Sequence, residues 1–184
     1  MKTFILILIL SLSFLNGQEE NSLTNPFPDG NFIPLPLKVS NAWTYRQKFG
    51  GKTSYHSLWI ADLININSQW VYILNDDWLF DNNGAYYKDG ILYGMGVSYP
   101  EFPVEIVIPK DPVPGQTWIV DVDRVFKLEA IDDAISVPAG TFSAYKISVT
   151  RQPSVYNIWW ANGIGIVKIS GGEENSELIS FFTE

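Results

Sequence analysis

Apolar residues recur at every second position through most of the chain, and no other feature constrains the fold as tightly. A two-residue period is that of a strand with two unlike faces, whereas a helix needs a period near 3.6. In NAWTYRQKF, Trp43, Tyr45 and Phe49 share one face and Thr44, Arg46 and Lys48 the other. From Tyr55 to Leu63, Tyr55, Trp59 and Leu63 fall opposite His56, Leu58 and Ile60. QWVYIL is apolar on both faces and reads as an interior strand. FPVEIVIP aligns Phe102, Val104, Ile106 and Ile108. The run Ile119–Ile131 puts Val120, Val122, Phe126 and Leu128 against Asp121, Asp123, Lys127 and Glu129. The end of that run also fits a short helix through Leu128, Ile131 and Ile135, but its β-branched content favours strand. No other segment carries a helical stripe longer than two turns. The reading is all-β, antiparallel and with little helix. About ten strands exceed one flat sheet of ordinary size, which leaves a curled sheet, a barrel or a sandwich.

The turns agree with this. Asp89-Gly90 between Lys88 and Ile91 predicts a type I′ hairpin that sets Tyr87 opposite Leu92 and Tyr86 opposite Tyr93. Pro112, Pro114 and Gly115 predict a turn before Trp118. VPAGTF (Val137–Phe142) and Asn162-Gly163 with Gly165 each lie between alternating runs. A phosphate cradle would need a helix after the glycines, and none follows, so both read as hairpin connections.

The first residues, MKTFILILILSLSFLNG, combine one positive charge with an apolar run too short to span a bilayer. They read as a signal peptide over residues 1–17, cut after Gly17. The polar, proline-bearing residues 18–33 read as a flexible segment, and 34–184 as one β domain. The 184-residue chain has no cysteine, hence no disulfide and no lipid-modified cysteine. The expected location is secreted or periplasmic, without a lipid anchor and without a membrane span once the signal is removed. The formal charge of −8 becomes −9 when Lys2 leaves with the signal, which disfavours nucleic acid and anionic membrane surfaces.

Few residues are equipped for chemistry. His56 is the one histidine, no G-x-S-x-G occurs, and cysteine nucleophiles are absent. Zinc ligands are lacking. The acidic stretch Asn75–Gly84 (NDDWLFDNNG) concentrates oxygen ligands but departs from the calcium-loop spacing, and reads as a solvated loop. Glu101 with Glu105, or Asp121 with Asp123, are the carboxylate pairs available to a glycosidase, and such pairs are ordinary on wet strand faces. The expectation is a non-enzymatic protein with no catalytic residues, no metal and no cofactor. Aromatics make 15% of the chain, and such side chains fill cores, line apolar cavities or stack on sugars. Trp59, Trp70 and Tyr72 are the candidate ligand-binding residues, for an apolar small molecule or lipid. A carbohydrate-binding surface of exposed aromatics and a structural surface protein are the alternatives.

Three stretches together resemble a family of exported bacterial proteins of unknown function. They are PLPLKVSNAWTYR, with Pro36, Leu37, Val39, Trp43 and Tyr45; VPAGTF; and WWANGIGIVK, with Trp159, Trp160, Gly163, Gly165, Val167 and Lys168. Ser40 stands where that family usually has glycine. The family is distantly similar to half-barrel carriers of lipoproteins or lipids. The resemblance implies a strongly curved antiparallel sheet, half-barrel or barrel-like, with an open apolar side. It carries no catalytic residues over.

Overall fold

The computed structural model describes residues 33–66, 68–75, 84–95, 105–120 and 124–184. Every regular element among them is a strand: β1 (Ala42–Phe49), β2 (Lys52–Ile66), β3 (Gln69–Leu74), β4 (Gly84–Lys88), β5 (Ile91–Met95), β6 (Glu105–Ile108), β7 (Thr117–Ile119), β8 (Arg124–Val137), β9 (Gly140–Arg151), β10 (Ser154–Ala161), β11 (Gly165–Gly171) and β12 (Glu174–Phe182). They form one antiparallel sheet in the order β6-β5-β4-β3-β2-β1-β12-β11-β10-β9-β8-β7.

β6 and β7 follow one another in the chain yet occupy opposite edges of this sheet. Residues 109–116 connect them, and a connection that short spans only about 30 Å. A flat sheet of 12 strands would be far wider at nearly 5 Å per strand, so the sheet has to curl. Among the described residues, the edges meet without a ladder. The Trp118 indole N–H donates to the Val107 carbonyl at 3.2 Å, a side-chain stitch across the seam. Bulges in β2 between Ile60 and Asp62, in β8 between Leu128 and Asp133, in β12 at Ile179 and in β11 at Val167 add the twist that curling needs.

Curling gives the sheet an inner face, and one core cluster fills it. Trp43, Tyr45, Leu58, Ile60, Leu74, Leu92, Ile108, Leu128, Ile147, Trp160, Ile166 and Leu178 belong to it. The long β8–β9 hairpin bends at its bulges, and its tip folds over this core: the Ala139 amide donates to the Leu178 carbonyl at 3.1 Å, and Phe142 meets Phe181 edge-on. VPAGTF is therefore a two-residue turn, with Gly140 at φ 142°. Asp89 and Gly90 both have positive φ, and the pairs Tyr87–Leu92 and Tyr86–Tyr93 stand in the expected register. Gly163 and Gly165 likewise turn β10 into β11.

Two details differ from the sequence reading. The bulge at Ala61 reverses the faces of β2, so Leu63 pairs with Tyr72 and leaves the face of Trp59. Ile119–Ile131 is not one continuous run, since β7 turns back on β8 with Trp118 opposite Phe126. The helix considered for its end is strand throughout, because β8 extends to Val137.

Candidate functional site

The three candidate binding residues lie on two faces. Leu58 and Ile60 point into the core, so Trp59 between them points outward, and it is 43% exposed. Tyr72 packs against the inner cluster beside buried Leu74. Trp70, two residues away, continues the same face to the rim and is 58% exposed. Tyr72 and Trp70 therefore belong together with Leu63, the cross-strand partner of Tyr72, while Trp59 stands apart.

Beside that rim the inner face is crossed by a strap, residues 33–37, that pairs with no strand. Leu35 is 1% exposed and sits over Gly165, where an added Cβ would lie 3.1 Å from its Cδ1. The Tyr87 hydroxyl accepts from the Leu35 amide at 2.9 Å and donates to the Leu35 carbonyl at 2.8 Å. Burial raises the Tyr87 hydroxyl well above the usual phenol range, so it stays protonated and able to donate. The Trp160 indole donates to the Pro34 carbonyl, and the Trp43 indole to the Ile164 carbonyl at 2.6 Å.

The outer face carries a row that register lines up across five strands: Arg46, Glu177, Lys168, Trp159 and Lys146. Glu177 bonds Arg46 at 2.8 Å and Lys168 at 3.3 Å. Lys146 and Lys168 lie 5.5 and 5.9 Å from the Trp159 ring centre, and the Trp159 indole donates to Asp133 at 2.7 Å. Burial pushes the Glu177 carboxyl up, but the bonds from Arg46 and Lys168 outweigh it and hold it below the usual range. A lowered carboxylate pKa stabilises the fold above the unfolded value, and this support is lost as pH falls through the folded one. Glu177→Gln is expected to make stability fall less steeply through the ordinary carboxylate range and below it. Urea midpoints of both proteins from pH 6 to pH 3 test this.

His56 and Ser54 are close enough to suggest a nucleophile and its base, at 3.2 Å. Gln47 decides otherwise. Its Nε2 donates to Glu174 at 2.9 Å, which turns its Oε1 to His56 Nε2 at 2.7 Å. An amide oxygen only accepts, so Nε2 holds the proton there and cannot take one from serine. The Ser54 hydroxyl is itself directed at the same oxygen at 3.3 Å. Ser54, with Gln47, Phe49, Lys52, Thr53 and Glu174, lines a shallow, open groove. Among the described residues, no three His, Cys, Asp or Glu side chains converge as metal ligands. Asp77 and Asp81 of the acidic stretch, Glu101, Asp121, Asp123 and the whole signal segment lie outside the described residues. No helix among the described residues is long and apolar enough to cross a membrane.

No protein-family model and no curated protein matches the chain. Solved structures do. A Bacteroides fragilis NCTC 9343 protein inferred to be exported, with a YmcC-like fold, is similar at TM-score 0.52 and 14% identity, over 83% of this chain and all of that one. A Parabacteroides distasonis ATCC 8503 protein inferred to be a lipoprotein aligns over 82% of this chain and 99% of that one, at 12% identity and TM-score 0.43. The first likeness establishes a shared fold: the curled all-β sheet is of the YmcC-like type.

The sequence pointed to Trp59, Trp70 and Tyr72 but gave no weight to the strap as a bound element or to Tyr87. The available signal was Pro-Leu-Pro-Leu itself: two prolines without N–H groups suit a segment held outside a ladder.

Proposed function

We propose that this is an exported, non-catalytic binding protein of the bacterial envelope that takes an apolar chain at the rim of its inner face. The observation that carries this reading is the course of the inner surface along β3. It runs from buried Leu74 through half-buried Tyr72 to Trp70, an indole left 58% exposed beside Leu63. Exposing a large aromatic at the end of an apolar stripe forgoes burial that a ligand's hydrocarbon supplies. Each buried methylene contributes about 0.8 kcal/mol, so a long acyl chain offsets the ordering cost of binding. Titration with palmitate, followed by tryptophan fluorescence, is expected to shift the emission of the wild type, with native mass spectrometry reporting the adduct. Trp70→Ala is expected to weaken the response about tenfold, and Trp59→Ala to leave it unchanged. Unaltered emission and no adduct would sink the reading.

One observation favours a second reading, sugar binding on the outer face. Ala42 pairs with Trp59 on one side and Phe182 on the other. The two exposed aromatics therefore flank a small residue, about 10 Å apart by strand spacing. Retention on insoluble polysaccharide that Trp59→Ala abolishes and Trp70→Ala spares would select this reading instead.

A further inference from the structure

The strap is held as a peptide ligand is held. The Ile33 amide donates to Asn162 Oδ1 at 2.6 Å, and its carbonyl accepts from the Gly163 amide at 2.8 Å. The Trp160 indole serves Pro34, the Tyr87 hydroxyl serves both polar groups of Leu35, and Asn41 Nδ2 donates to the Pro36 carbonyl at 2.8 Å. Prolines have no N–H, so every main-chain polar group from Ile33 to Pro36 is satisfied. None of these bonds belongs to a sheet ladder, and all but the last come from β4, β10 or the β10–β11 turn. Specificity comes from Leu35, seated on bare Gly165 where a side chain would crowd it.

We propose that this cleft is a binding site for an extended Pro-Leu-Pro peptide, and that its occupant in trans is the same strap of a second copy. Three features support exchange. The strap can leave without breaking a single pair of strands, since β1 begins only at Ala42. The partner's Tyr87, Trp160, Asn162 and Gly163 offer it the same bonds. The hinge between strap and β1 is a tight turn, closed by the Asn41 amide on the Lys38 carbonyl at 3.1 Å. It forces Ser40 to φ 81°, a conformation that costs a non-glycine residue and is relieved when the hinge extends. Short strained hinges of this kind invite exchange of the element they carry.

The test uses the purified protein and a fluorescein-labelled peptide of residues 31–38. Anisotropy is expected to show saturable binding by wild type, at least tenfold weaker with Tyr87→Phe. A peptide with aspartate in place of Leu35 is expected not to bind, which removes any question of misfolding from that comparison. Light scattering on a sizing column is expected to give a dimer fraction that grows with concentration. Ser40→Gly relaxes the closed turn and should lower that fraction several-fold, whereas Ser40→Val worsens it and should raise the fraction several-fold. Trp70→Ala should leave both measurements where they are, which separates this site from the apolar rim. Failure of the peptide to bind overturns the proposal. A dimer indifferent to both Ser40 variants and to excess peptide does so equally, since it would use another surface.

Discussion

Gly171→Ala is expected to destabilise the domain by about 3 kcal/mol or more, above the usual range for an overpacked site. A Cβ built on Gly171 would lie 2.4 Å from the Cβ of Tyr156, 2.5 Å from its Cα and 2.8 Å from the Val155 carbonyl oxygen. Those atoms belong to the backbone of β10 or sit directly on it, so no rotamer change makes room. Relief requires β10 and β11 to part where Asn157 pairs with Ser170. Chemical denaturation measures the loss, with Ser170→Ala as the neighbouring control. A wild-type midpoint for Gly171→Ala would mean that the two strands do not cross this closely.

Trp43→Ala is expected to cost about 3–5 kcal/mol, the range for truncating a buried tryptophan. The side chain is 1% exposed and among the largest in the core. It also bonds the Ile164 carbonyl beside Gly165, so truncation opens a cavity and removes the donor that fixes the β10–β11 turn. Trp43→Phe keeps most of the volume and loses the donor, and should cost about 1–2 kcal/mol. The graded pair separates packing from hydrogen bonding. Equal midpoints for the two variants would contradict that division.

Local rules carried much of this architecture. Asp89-Gly90 specified its turn and register because φ above zero is needed at two successive positions, and that pair supplies it. Trp43 and Tyr45 were legible as inward-facing from period two alone. The faces beyond Ala61 were not, because one extra residue in β2 reverses every later side chain and leaves no compositional mark. Phe49 shares the parity of Trp43 yet is exposed, since the core ends before β1 does. Trp70 and Tyr72 were legible as aromatics on one face of one strand. Their separation from Trp59 was not, because it depends on that same bulge. Tyr87 was legible as a strand residue, but its hydroxyl meets Leu35, 52 positions away, and only the curled sheet brings them together.

The strand order has a consequence for the path of the chain. Read outward from β7, it runs β7 to β12 and then β1 to β6, an unbroken up-and-down ribbon whose middle holds both ends of the domain. Asn41 Oδ1 accepts from the Glu184 amide at 3.0 Å, so those ends are already in contact. Nearly every strand therefore pairs with its neighbour in sequence, and one seam, β1 against β12, joins the first segment to the last. Each half can zip from its own hairpins, but that seam waits for β12, so the sheet stays in two parts until β1 and β12 meet. A circular permutant linking residue 184 to residue 38, and opened in the proline-rich stretch 109–116, would turn the seam into a local hairpin. Its relative contact order would be lower, with almost every pairing of the present sheet preserved.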